Sequence, residues 1–198
     1  MRAYERFLKY VTVHTASRED ADTTPSTSIQ FDLANILREE LLALGVNDAR
    51  VCENCYVYGS IPATPGLENA PCVGFIAHLD TIPDFSGENV KPRLVENYDG
   101  SDIALGQSGR TLSVREFPHL KNYIGKTLIV TDGTTVLGAD DKAGIAEIMT
   151  LVENLMRGDI PHGRIAIGFA PDEEIGHGAS LLDIPAFGAD LGYTVDGE

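Results

Sequence analysis

Apolar residues recur along this chain with two periods, and the switches between them mark out its elements. Ile29, Leu33, Ile36, Leu37, Leu41 and Leu44 fall three or four residues apart, which predicts a helix with one buried stripe over about residues 28–44. Ser26, Thr27 and Ser28 offer N-caps ahead of it, and Gly45 supplies a C-terminal stop. Residues 1–10 read as an amphipathic helix rather than a secretory signal, and a third helix is predicted over about 142–156. Continuous or alternating apolar runs predict strands over residues 51–58, 72–77, 127–130, 164–170 and 191–195. The first two are separated by the turn-forming Pro62-Ala63-Thr64-Pro65-Gly66.

Residues 82–126 follow neither period and are rich in Gly, Pro, Asn and Asp, which reads as an excursion of loops and short strands inside the same domain. Elsewhere strands alternate with long helices, and several strands are apolar on both faces. The expected class is therefore α/β, a largely parallel sheet sandwiched by helices. In such sheets ligands gather beyond the carboxyl ends of the strands.

Composition narrows the picture. The chain has 198 residues and is 43% hydrophobic, enough to bury the core of one domain or slightly more. Fifteen basic against 30 acidic side chains give a formal charge of −15, which argues against nucleic acid and anionic membrane surfaces as partners. No apolar run has the length of a membrane span, so the expected location is the cytoplasm. Three cysteines, an odd number, do not suggest a disulfide framework.

Four short motifs, each just after an apolar run, carry the candidate chemistry. They are Ala77-His78-Leu79-Asp80-Thr81, Gly138-Ala139-Asp140-Asp141-Lys142-Ala143-Gly144, Pro171-Asp172-Glu173-Glu174-Ile175-Gly176 and Val195-Asp196-Gly197. His78 and Asp80 are two apart, so both side chains can point to one side of an extended segment. A metal-binding histidine usually donates its other ring N–H to a carboxylate, which makes Asp80 a candidate orienting residue. The alternative is a strand-end histidine beside a solvated aspartate. Asp140 and Asp141 open a predicted helix, where one aspartate would serve as a cap; the second is what a cation would explain. Glu173 and Glu174 follow a buried strand, and their side chains diverge. One can ligate metal while the other reaches an attacking water, unless the run is simply a solvated acidic loop. Asp196 gains weight from being the fourth motif at the same end of the sheet.

Other patterns read as structural. Cys52-Glu53-Asn54-Cys55 has the spacing of a zinc ribbon or redox pair but no second pair or histidine nearby, and is read as buried or half-buried packing within a strand. Gly106-Gln107-Ser108-Gly109 does not form a nucleophile elbow, and there is no Walker loop. His14, His119, His162 and His177 are read as surface residues.

Jointly and in this order, the four motifs resemble the di-zinc aminopeptidase and deacylase superfamily that includes carboxypeptidase G, acetylornithine deacetylase and succinyl-diaminopimelate desuccinylase. The long interval from His78 to Asp140, with Val136-Leu137 leading into the second motif, resembles its tripeptide-aminopeptidase branch. The resemblance implies that His78 and Asp196 bind one zinc and Glu174 the other, with Asp140 bridging. It implies that Asp80 orients His78, that Glu173 is the general base and acid, and that the Asp140–Asp141 peptide is cis. Two zinc ions are the implied cofactors, with cobalt or manganese as substitutes, and small peptides are the implied substrates. It further implies a last histidine ligand and a lid used for substrate binding and dimerisation, neither found in this chain. The expectation is an N-terminal part of a catalytic domain that by itself binds metal weakly and turns over little peptide, the full-length protein being a homodimer. A deacylase or dipeptidase acting on small amides is the sibling reading, and a non-catalytic metal-binding domain is the reading from another class.

Overall fold

Strand alternation and helical periodicity resolve, in a computed structural model that describes residues 1–197, into two compact units, residues 1–84 with 138–198 and residues 85–137. The first contains helix α1 (Ala3–Tyr10), helix α2 (Gln30–Ala43) and strands β1 (Arg50–Val51), β2 (Val57–Ile61) and β3 (Val73–His78). After the second unit come helix α3 (Ala139–Met156), β8 (Ile165–Ala170), helix α4 (Ile184–Phe187) and β9 (Leu191–Thr194). The second unit has short strands β4 (Arg93–Val95), β5 (Ile103–Ala104), β6 (Thr111–Leu112) and β7 (Leu128–Val130) and a 3-10 helix over Pro118–Tyr123. Its strands pair as β4–β7 and β5–β6 around Tyr98, Ile103, Leu120 and Val130. Most of the expected loop excursion thus lies in a unit with its own small core.

The main sheet has the order β1-β2-β8-β3-β9. The expected α/β class with flanking helices is present, but "largely parallel" describes only one half of the sheet. β3 pairs in parallel with β8 and β9, whereas β2 runs antiparallel to β8 and β1 antiparallel to β2. An apolar run buried on both faces carries no mark of its direction, so β2 could not be told from a parallel neighbour. β8 is buried at every position and is the sheet's centre.

The single strand expected over 51–58 is a hairpin. Cys52 N–H donates to the Tyr56 carbonyl, Cys55 N–H donates to the Cys52 carbonyl, and Cys55 takes a left-handed φ of 69°. The cysteine pair therefore forms the turn; all three cysteines are free, with Cys55 and Cys72 buried. The sheet places its parallel strand ends together, and these are what bear the motifs.

Candidate metal and catalytic site

His78 closes β3, Asp172 and Glu173 follow β8, and Asp196 follows β9, so parallel pairing alone brings three of the four motifs to one edge. The fourth arrives with α3, which packs on β3. Asp140 and Asp141 have non-helical backbone angles, so the regular helix starts at Lys142 as its periodicity predicts, and the Asp140–Asp141 peptide is cis, as the resemblance implied. Leu79, fully buried between His78 and Asp80, fixes the strand end in the core.

His78 is buried and faces carboxylates from three directions. Nε2 lies 2.8 Å from Asp140 Oδ1 and 3.9 Å from Glu173 Oε2, and Nδ1 lies 3.3 Å from Asp80 Oδ1. Burial opposes protonation of the imidazole, but the hydrogen bond and charge of Asp80, the hydrogen bond to Asp140 and the charge of Asp141 outweigh it and raise its pKa to about 10. Glu174 is raised to about 7, first by burial and then by the charges of Asp140, Asp80 and Glu173 against the opposing His78. Asp141 is likewise raised to about 7, chiefly by burial. Carboxylates raised in this way by burial and by one another gather where a cation would be stabilised.

Two groups of ligand atoms lie within 4.8 Å of one another and could hold a metal ion: His78, Asp140 and Glu174, and His78, Asp141 and Asp196. One imidazole with several carboxylates is a donor set that suits zinc. Glu174 Oε1 is buried without a hydrogen-bond partner, as expected of an atom whose arrangement serves something besides the protein. The residues present therefore fit divalent metal.

Asp80 ties the two sides of the site together. Fully buried, it accepts the Glu173 N–H on Oδ1 (2.9 Å) and the Glu174 N–H on Oδ2 (3.2 Å) while facing His78. Asp141, which the motif reading left without a role of its own, is buried and accepts backbone N–H groups from His78 (3.1 Å) and Gly144 (3.1 Å). Asp140 and Glu173, by contrast, keep 57% and 52% of their side chains exposed, so they line the open side. Gly144 was the available signal for the close packing here, since glycine in a helix interior costs stability without a steric reason. A Cβ on Gly144 would collide with the Val195 carbonyl oxygen and Asp141 Oδ1. Clefts of about 260 Å³, beside Asp140, Gly144 and Asp196, and about 400 Å³, lined by Ile76, His78, Glu173 and Leu182, give room for a small ligand. Among the other histidines, His119 and His177 are exposed and His14 and His162 half-buried.

No family model matches the chain. It is 56% identical over 196 residues to a peptidase T of Alkaliphilus oremlandii and 58% identical over 195 residues to one of Desulfitobacterium hafniense, each match covering 98% of the chain. The chain spans about half the length of these curated relatives, 48% and 47% respectively. Among solved structures it is similar to a tripeptidase of Staphylococcus aureus (27% identity, TM-score 0.67), covering all of this chain and 43% of that one. It is similar also to an aminopeptidase, PepT, of Bacillus cereus (25% identity, TM-score 0.69), with the same coverage.

Proposed function

Since this chain is homologous to peptidase T along nearly its whole length, we propose that it forms most of the active site of a metallo-aminopeptidase that removes the N-terminal residue of tripeptides. The observation that carries this reading is the meeting of His78 with Asp140 and Glu174, and of His78 with Asp141 and Asp196, at one sheet edge, with the exposed Glu173 carboxylate 3.9 Å from His78 Nε2.

In this reading His78 Nε2 and Asp196 would hold one zinc and Glu174 the other, with Asp140 serving both. Asp140 is given the shared role over Asp141 because both Asp141 oxygens already accept backbone N–H groups, while Asp140 is exposed and its Oδ1 faces His78 Nε2. When bound, the two ions polarise the scissile carbonyl and bring the pKa of water from 15.7 towards about 7. Asp80 keeps His78 oriented through Nδ1 and holds the Glu173 and Glu174 backbone through its two oxygens. Glu173, free of ligand duties, takes the proton of the attacking water and returns it to the leaving amine. The relatives' greater length leaves room for a further histidine ligand and for the surface that measures peptide length.

The test is hydrolysis of Ala-Ala-Ala by the zinc-loaded full-length protein, beside an N-acetyl amino acid and a dipeptide. Release of alanine from the tripeptide at a kcat/KM well above both competitors is expected. Preference for the N-acetyl amino acid or the dipeptide would replace this reading with the deacylase or dipeptidase one, and no turnover of any would refute a peptidase.

A further inference from the structure

Asp172 takes no part in the chemistry above, yet it is the most completely engaged carboxylate of the site-bearing loops. It is fully buried, and among the described residues it forms no ion pair. Its partners come from the N-terminal segment, some 140 residues away. Oδ2 accepts the Ser26 N–H (2.7 Å), and Oδ1 accepts the Ser26 hydroxyl (2.6 Å) and the Gln30 side-chain amide (2.7 Å). The Gln30 side-chain oxygen Oε1 in turn accepts the Asp172 N–H (3.2 Å). Ser26 and Gln30 are themselves buried. Three donors on one carboxylate make a tightly specified joint, because an unpaired oxygen at this depth would be costly.

What the joint holds is an unusual backbone. Asp172 has φ 59°, left-handed for a residue with a side chain, immediately before Glu173. Such a conformation is costly and persists only where its surroundings over-determine it. The same N-terminal segment also reaches the other side of the site. Ala16 bridges to Thr81, and Ser17 donates its N–H (3.1 Å) and hydroxyl (3.2 Å) to the Thr81 carbonyl, directly after Asp80. Residues 16–30 thus span from the residue after Asp80 to the residue before Glu173, while Asp80 closes the ring through the Glu173 and Glu174 N–H groups.

We propose that Asp172, clamped by Ser26 and Gln30, is a positioning residue that sets the direction in which Glu173 and Glu174 leave β8, and that the segment carrying Ser26 and Gln30 is therefore part of the catalytic apparatus. This rests on the peptidase reading for its kinetic consequence, but its structural consequence is measurable without it. The joint fixes the backbone on one side of the two glutamates and Asp80 fixes it on the other. Loosening either shifts the carboxylates against each other, and misplacement on the order of 1 Å costs up to about 100-fold in rate.

The test uses the full-length, cobalt- or zinc-loaded protein with Ser26→Ala, which deletes one donor to Asp172, and Gln30→Met, which deletes another donor together with the acceptor of the Asp172 N–H. Leu33→Val, a fully buried position on the helix that carries Gln30, serves as a control for loss of core packing. In both joint variants kcat on a tripeptide is expected to fall roughly tenfold or more per folded molecule, with KM and metal content within about twofold of the parent. Amide exchange over residues 173–178 should quicken and the visible spectrum of bound cobalt should change; Ser26→Thr should restore all three, and Leu33→Val should alter none. If the parent cleaves no peptide, exchange and the cobalt spectrum still decide: a change in the joint variants alone supports the proposal. Unchanged exchange and spectrum, or equal kcat losses in Leu33→Val, would overturn it.

Discussion

Gly144 sets two principles against each other. It lies within α3, and replacing a helix-interior glycine with alanine stabilises by about 0.5–1 kcal/mol on propensity alone. The structure predicts the opposite sign. The added methyl would lie closer than 3.0 Å to the Val195 carbonyl oxygen and to Asp141 Oδ1. Neither neighbour yields easily: Val195 N–H donates to the Ile76 carbonyl of β3 (2.8 Å), and Asp141 is held by the His78 and Gly144 N–H groups. Overpacking of this kind costs about 1–3 kcal/mol, and backbone on the far side of the clash argues for the upper end. Less the propensity gain, the net loss for Gly144→Ala is about 2 kcal/mol. Relief of the clash moves Val195 and with it Asp196, and a shift on the order of 1 Å exceeds the tolerance of about 0.5 Å for a working site. Denaturant unfolding of the metal-free full-length protein reads the stability, and calorimetric zinc titration reads the site. A variant as stable as its parent, with unchanged zinc affinity, would refute the packing argument.

Asp80→Asn leaves a single oxygen to serve two backbone N–H groups, so zinc affinity should weaken by about 10–100-fold, as read by competition with a chelator. Removing metal with a chelator should abolish activity, and zinc, cobalt or manganese should restore it; recovery with none of them would count against the donor set proposed. The pKa of Glu153 is lowered to about 2, first by the hydrogen bond from the N-terminal ammonium and then by Arg6, so its folded value lies below the ordinary 4.5. A depressed carboxylate contributes stability that is complete above about pH 4.5 and fades as pH falls towards 2. The Tm gap between the parent and Glu153→Gln should therefore be widest above pH 4.5 and shrink on acidification, and a constant gap would contradict it.

Much of this was legible before any coordinate. The 3.6-residue stripes marked α1, α2 and the regular part of α3, and apolar runs located β3, β8 and β9. Because those three strands are parallel, their ends converge, and the order of motifs along the chain translated directly into neighbourhood in space. What escaped was of two kinds. Local turn geometry broke the 51–58 strand at Cys55, where a left-handed φ is taken by a residue type that does not advertise it. Long-range pairing was hidden as well. Nothing near Asp172 points to Ser26 or Gln30, and the two-residue strands β5 and β6 are too short to show a period. Asp141 was visible only as an unexplained second aspartate; its burial and its hold on the His78 N–H emerge from the fold.

The proposed function divides labour between neighbouring glutamates, Glu174 for metal and Glu173 for proton transfer. Glu173→Gln in the full-length protein separates the two most directly, with zinc content and tripeptide hydrolysis measured on the same preparation. The account predicts full zinc occupancy with kcat reduced by about 100-fold or more, as expected for loss of a general base. Hydrolysis at the parental rate, or loss of zinc together with activity, would contradict it.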